Sequence, residues 1–228
     1  MSAIIELSDL CADSFWSADA RIISINGYFS GGDVGRFMVS VVGLMGSPRI
    51  CGNTDLLLDA ALEGAAATGG DVEKVVLARL NLRGCRECER CFPNGRCVLK
   101  DDMQPIYRLL DELDVMIIAS PIFFSGLTAQ MKMMIDRCQC LWAGKYLLGK
   151  PIGGGRKRVG AFLSVGGRDN LSFKGAVSVA KAFFLSVDVE YVGELTISGV
   201  EGKGFISKHP TALRDAREMG AKLVGMMK

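Results

Sequence analysis

From residue 37 onward, apolar and polar positions alternate between two rhythms, a short continuous apolar run and a longer helical spacing. Phe37–Leu44 is a β-rich apolar run that breaks at Gly46 into a polar loop, and helical spacing follows from Thr54 to Ala67. The same alternation recurs as VEKVVLA (strand), DMQPIYRLLDEL (helix), DVMIIAS (strand) and LTAQMKMMIDRCQCLW (helix). It continues as RVGAFLSV (strand), FKGAVSVAKAFFL (helix), VEYVGELTI (strand) and TALRDAREMGAKLVGMM (helix). Five strands separated by helices predict a parallel sheet covered on both faces, because right-handed crossovers place helices on both sides.

The fold class expected is α/β, a flavodoxin-like doubly wound five-stranded parallel sheet of order 2-1-3-4-5. Such sheets bind ligands at the carboxyl ends of their strands, near the point where strand order reverses. The loops after strands one, three and four are therefore the ones to inspect. Residues 1–36 stand apart as an N-terminal extension or arm, and 37–228 as the domain proper. Within the extension, RIISINGYFS reads as a hairpin around Asn26-Gly27. The arm packs on its own subunit or is exchanged with a partner, and the sequence allows both. There is no internal repeat and no low-complexity stretch.

Composition narrows the function classes. With 49% hydrophobic and 23% charged residues the 228-residue chain reads as one packed globule, and a net charge of +2 is too mild for a nucleic-acid surface or a polybasic membrane anchor. The longest apolar run, Val115–Phe124, is far shorter than a membrane helix and is interrupted by Pro121. The first twenty residues carry no Lys or Arg and no apolar core, so no secretory signal is expected and the reading is cytoplasmic. Thiols stay reduced there, so clustered cysteines point to metal binding or redox chemistry.

The loop GSPRICGNT, Gly46–Thr54, joins strand one to helix one. Its two glycines, Ser47, Arg49, Asn53, Thr54 and the following helix N-terminus make a cradle for a phosphate dianion. GxxxxGK[ST] and GxGxxG are both absent, so the natural occupant is a mononucleotide monophosphate. The plainer alternative is a helix capped by Thr54 or Asn53. After strand three, SPIFFSGLTAQMKMMIDR places Phe123 and Phe124 where they could form an apolar wall for a flavin or belong to the core.

GSPRxxGNT after strand one, together with SPxxFxxxxAQMKxxIDR after strand three, resembles the flavodoxin-like NADPH-dependent FMN reductase superfamily over residues 38–228. The resemblance implies that Ser47, Arg49, Asn53 and Thr54 contact the FMN phosphate. It also implies that Pro121, Ile122, Phe123, Phe124 and Gly126 lie along the isoalloxazine and ribityl chain. Gly166, Gly167 and Arg168, in SVGGRDN after strand four, are expected to form a third side of the flavin site.

Half of the eight cysteines, Cys85, Cys88, Cys91 and Cys97, fall in CxxCxxCx5C within the cysteine-rich loop 84–100. Repeated two-residue spacing can wrap one face of a [4Fe–4S] cubane, and the turn residues Pro93, Asn94 and Gly95 would let Cys97 return as fourth ligand. Reduced thiols without metal, and zinc, are the competing readings; structural zinc favours two separated pairs, and the chain has a single histidine, His209. Cys11, Cys51, Cys138 and Cys140 lack such spacing and read as core or incidental thiols. A compact cysteine motif after strand two resembles the iron-sulfur flavoproteins within the superfamily. That resemblance implies one FMN and one [4Fe–4S] cluster per subunit, homodimers or homotetramers, a ferredoxin-like electron donor and a small-molecule acceptor.

The leading function is an electron-transfer flavoprotein that converts one-electron input into two-electron reduction of an acceptor. The alternative is a cluster-free NAD(P)H-dependent FMN or quinone reductase, with the basic stretch GKPIGGGRKR, Gly149–Arg158, attracting a nicotinamide nucleotide or an acidic ferredoxin, or simply solvated. A thiol or metal sensor on the same fold would leave the phosphate loop unexplained. No GxSxG elbow accompanies His209, so a serine hydrolase is not expected and no side chain is assigned as nucleophile.

Overall fold

The structure, a computed structural model, describes residues 22–24, by their backbone, and 38–228. Among the described residues, six strands form one sheet: β1 (Ile22–Ser24), β2 (Val39–Met45), β3 (Gly70–Val76), β4 (Val115–Ala119), β5 (Val159–Val165) and β6 (Glu190–Ile197), in the order β1-β3-β2-β4-β5-β6. The strands from β2 to β6 are parallel, with Val39 opposite Gly70, Val41 opposite Val115 and Val115 opposite Val159. Counted from β2, this is the order 2-1-3-4-5. Every residue of β4 and β5 is buried, as expected for central strands covered on both faces.

The addition is β1, which pairs antiparallel with β3, Ile22 opposite Val75. It comes from the segment read as the first limb of a hairpin. The turn at Asn26-Gly27 and the rest of the extension lie outside the described residues.

Among the described residues, six helices cover the sheet: α1 (Asn53–Ala67), α2 (Met103–Glu112), α3 (Ala129–Arg137), α4 (Gln139–Leu148), α5 (Lys174–Ser186) and α6 (Ala212–Gly225). On one face, Leu58, Ala61 and Leu62 of α1 and Leu223 of α6 bury Val41, Ile117 and Leu163. On the other, Ile106 of α2, Met131 and Met134 of α3 and Phe184 of α5 bury Leu44, Ile118 and Phe162. Helices α1 and α6 touch backbone to backbone: a Cβ on Gly64 would stand 2.0 Å from the Arg217 carbonyl oxygen, and one on Gly220 would stand 1.8 Å from that of Ala61.

The single helix expected over LTAQMKMMIDRCQCLW is two. Thr128 caps α3, its side chain accepting from the Met131 N–H, and the helix stops at Cys138. A second helix then runs to Leu148, where Gly149 ends it at φ 65° in the left-handed region. The break falls just after Arg137, whose side chain turns inward toward the cysteine-rich loop.

Candidate functional site

The loop between β2 and α1 leaves the carboxyl edge of the sheet at Gly46, whose N–H is held by the Ala119 carbonyl at 2.8 Å and whose carbonyl accepts from Thr128 Oγ1 at 2.7 Å. A Cβ at Gly46 would lie 2.9 Å from Met131 Cβ, so the loop fits between β4 and α3 because this residue is glycine. Gly52 precedes α1 and no side chain caps the helix. Its first-turn donors therefore stay available to an anion, which removes the capping alternative for Asn53 and Thr54. Asp55 Oδ2 accepts the Cys51 N–H at 2.7 Å and holds the loop from the inside.

Ser47, Arg49, Asn53 and Thr54 line one cavity of about 340 Å³ with Pro121, Ile122, Phe123 and Gly167. Ser47 Oγ accepts the Arg49 N–H at 3.1 Å, which leaves its hydroxyl hydrogen to donate. Asn53 differs from the expectation: Nδ2 donates to the carbonyls of Val200 and Gly202 at 3.0 and 2.9 Å, and Oδ1 accepts from the Ile206 N–H. Its side chain fastens the loop after β6 to α1, so its contribution to a phosphate is limited to its backbone. That loop brings Glu201 into the wall, a residue with no sequence signal because only the return of the chain after β6 places it there.

After β4, Phe123 and Gly126 exchange both backbone hydrogen bonds at 3.0 Å, and Phe124 and Ser125 between them have φ 48° and 63°. This is a two-residue left-handed turn, strained for residues with a Cβ. Phe123 reaches the cavity. Phe124 stands fully exposed at the tip and, with Gly126, is not in the wall. After β5, Gly167 lines the cavity, whereas Gly166 is tied to Ile197 and Val200 through its backbone and Arg168 lies outside it. The basic stretch Gly149–Arg158 precedes β5 and so lies at the opposite, amino edge of the sheet. There Arg156 donates to the carbonyls ending α2, and the buried Arg158 donates to those of Leu110 and Val187.

The cysteine-rich loop leaves the end of β3 and packs against the α3–α4 junction, with Gly95 beside Gly144. Cys85, Cys88, Cys91 and Cys97 line a single pocket. Burial first, and then the neighbouring thiols of Cys97, Cys85 and Cys88, push the Cys91 thiol above its ordinary pKa. Between the cysteines, Glu87 and Glu89 have φ 48° and 55°, and Gly95 N donates to the Cys91 carbonyl at 2.7 Å to begin the return to Cys97. Two side-chain-bearing residues in the left-handed region within three positions mark a loop shaped for a purpose other than packing.

The back wall of this pocket contains Arg137 and Cys140, neither expected there. Arg137 Nη1 donates to the Arg83 carbonyl at 2.7 Å and to Asp101 Oδ2 at 2.6 Å, and Nη2 to Asp101 Oδ1 at 3.1 Å. The ion pair thus ties both ends of the loop to α3. Tyr107 adds a hydrogen bond from its hydroxyl to the Arg137 carbonyl at 2.9 Å. Arg137 shares a buried face with Met131 and Met134 at three-residue spacing, the one signal that could have revealed it. Cys140 is 2% exposed, and burial pushes its thiol up to about 11.

No group of three or more His, Cys, Asp or Glu among the described residues is drawn together as for a single metal ion. Four thiols spread around one pocket, with the buried Arg137 Nε–H lacking an acceptor among the described residues, fit a larger, sulfur-bearing group better than one zinc ion. The phosphate cradle, the uncapped helix and the Phe123 wall fit FMN.

Comparisons with known proteins agree with this geometry. The family described as NADPH-dependent FMN reductase matches residues 39–198. An iron-sulfur flavoprotein of Methanocaldococcus jannaschii is 32% identical over 197 residues, covering 83% of this chain and 98% of that protein. One from Methanosarcina thermophila is 33% identical over 132 residues, covering 58% and 65%. Among solved structures, the NAD(P)H:quinone oxidoreductase from Methanothermobacter marburgensis superposes with TM-score 0.63 at 22% identity, covering 82% of this chain and 96% of that one, a likeness of fold. The chain is an FMN-dependent oxidoreductase that belongs to the NADPH-dependent FMN reductase family, with the iron-sulfur flavoproteins among its relatives.

Proposed function

We propose that this flavoprotein takes electrons singly from a ferredoxin-like donor through a [4Fe–4S] cluster held by Cys85, Cys88, Cys91 and Cys97, and delivers them in pairs, through FMN, to a small acceptor. The observation that carries this reading is the position of α3. At its start Thr128 Oγ1 donates to the Gly46 carbonyl of the phosphate loop, just after the turn whose Phe123 lines the cavity for FMN, and Arg137 at its end lines the cysteine pocket. Nine helical residues span about 14 Å, so a single rigid element separates the two sites.

FMN, when bound, accepts and donates one or two electrons, which joins a one-electron donor to a two-electron acceptor. The chain's own residues bind and orient it. Ser47, Arg49, Thr54 and the open first turn of α1 hold the phosphate, while Pro121, Ile122 and Phe123 form one wall and Gly167 another. Arg137 and Asp101 hold the cysteine loop in place. Ile22–Ser24 of the N-terminal extension add a strand to the sheet of the domain 37–228, and assembly as a homodimer or homotetramer is expected from the resemblance to the iron-sulfur flavoproteins.

Anaerobic purification followed by iron, sulfide and flavin analysis of one sample tests the proposal. About four irons and four sulfides per FMN are expected, with rapid flavin reduction by reduced ferredoxin and slow reduction by NADPH alone. FMN without iron, bleached rapidly by NADPH, would replace this reading with a cluster-free FMN or quinone reductase.

A further inference from the structure

Arg137 has more N–H groups than the loop uses. Nη1 and Nη2 are taken up by Asp101 and the Arg83 carbonyl, yet Nε is buried and has no hydrogen-bond partner among the described residues. The guanidinium side chain is 0% exposed and lines the same pocket as Cys85, Cys88, Cys91 and Cys97. A buried donor without an acceptor is destabilising, and one kept in a native protein calls for an explanation such as a redox role, an ordered water or a bound group; Arg158 Nε is a second such donor, but of the two only Arg137 lines the cysteine pocket.

We propose that Arg137 is a tuning residue, donating its Nε–H to a sulfur of the group held in the cysteine pocket and raising that group's reduction potential; this rests on the cluster reading above. Asp101 pairs with the guanidinium in a bidentate ion pair, so the positive charge is largely neutralised locally and the remaining influence is that of one directed N–H dipole. Reduction adds one electron to the cluster and makes its sulfurs more negative. A hydrogen bond to them strengthens in the reduced state and shifts the potential upward. The ion pair and the Arg83 carbonyl fix the plane of the guanidinium, so the Nε–H is oriented before any cluster is bound.

The test uses the complete protein, purified without oxygen and labelled with ¹⁵N in arginine alone. Pulsed EPR of the reduced cluster is expected to show a ¹⁵N coupling. That coupling should persist when Arg83, Arg86, Arg90 and Arg96 are each changed to Lys and vanish in Arg137→Lys, which keeps the charge but not the Nε–H. The midpoint potential of Arg137→Lys is expected to fall with its iron content unchanged. A cluster-bearing protein with no ¹⁵N coupling, or a coupling that survives Arg137→Lys, overturns the tuning role. Should Arg137→Lys lose its iron, the decision comes from the unaltered protein and the four exposed variants: a coupling kept in all four supports Arg137, and one lost in any of them rejects it. Iron-free wild-type protein overturns the cluster reading itself and is recognised by metal analysis before any spectrum is recorded.

Discussion

Arg49 and Cys88 stand in the walls of two pockets that share no residue, and each can be removed without touching the other. Arg49→Ala deletes an exposed cation from the phosphate loop. A charge-assisted hydrogen bond contributes about 1.5–3 kcal/mol, so FMN should bind roughly ten- to a hundredfold more weakly while iron content is kept. Cys88→Ala should do the reverse, losing iron and keeping FMN. Flavin fluorescence titration and iron analysis on both proteins check this; loss of both groups from both variants would mean unfolding rather than two sites.

A second residue-scale prediction concerns Lys74, which reaches from β3 between Asp55 and Asp59 of α1 at 2.6 and 2.5 Å, all three shielded from water. Two carboxylates share one ammonium, with Glu63 nearby. Burial, opposed by Lys74 and aided by Asp55, raises the Asp59 carboxyl from its ordinary 3.8 to about 6. Between those values the folded protein holds a proton that the unfolded chain has lost. This group's contribution to stability therefore falls as pH rises from 3.8 and levels off above about 6, with a slope of at most ~1.4 kcal/mol per pH unit. Denaturant unfolding of Asp59→Asn should lack that component. An unchanged difference in stability between wild type and variant at pH 4 and pH 7 would refute it. The triad was illegible in the sequence because Lys74 is fifteen or more residues from the two aspartates along the chain and meets them only after α1 folds onto β3. Arg137 was hidden differently: a basic residue ending a helix ordinarily reads as a complement to the helix dipole in solvent.

At the scale of elements, the phosphate loop is only as well placed as α1, and α1 is held against α6 by glycines at the points of closest approach. Gly220→Ala would put a methyl group 1.8 Å from the Ala61 carbonyl oxygen, so the helices must move apart. Overpacking of this kind costs about 1–3 kcal/mol, which corresponds to a Tm lower by roughly 3–10 °C. Gly225→Ala, at the end of the same helix with nothing within 4 Å, should be neutral or slightly stabilising. Differential scanning calorimetry of the pair separates crowding from helix propensity; equal melting temperatures would reject the crowding argument. The strands and their order were legible because the five parallel strands are short apolar runs spaced by helical stretches. The break at Cys138 was not, since nothing in MMIDRCQCLW departs from helical spacing; it falls beside Arg137, which pairs with Asp101 across the fold. Phe124 shows the opposite limit: a motif placed it beside the flavin, but the left-handed turn directs it to solvent.

At the scale of the whole molecule, the two edges of the sheet carry different charge environments. The cysteine-rich loop exposes Arg86, Arg90 and Arg96 around the thiols, whereas the basic stretch Gly149–Arg158 sits at the amino edge, away from the cavity for FMN. If electrons enter from an acidic ferredoxin, its encounter should be steered by the first set and be indifferent to the second. Arg90→Glu should then lower the second-order rate of reduction by ferredoxin severalfold at low ionic strength, with the deficit shrinking as salt screens the charges. Lys150→Glu, an exchange of the same sign on the exposed amino-edge loop, should leave that rate unchanged. Stopped-flow reduction of both variants over a range of salt concentrations measures this directly. A larger effect from Lys150→Glu would move the docking surface to the amino edge, where neither pocket lies, and would separate the site of electron entry from the four thiols.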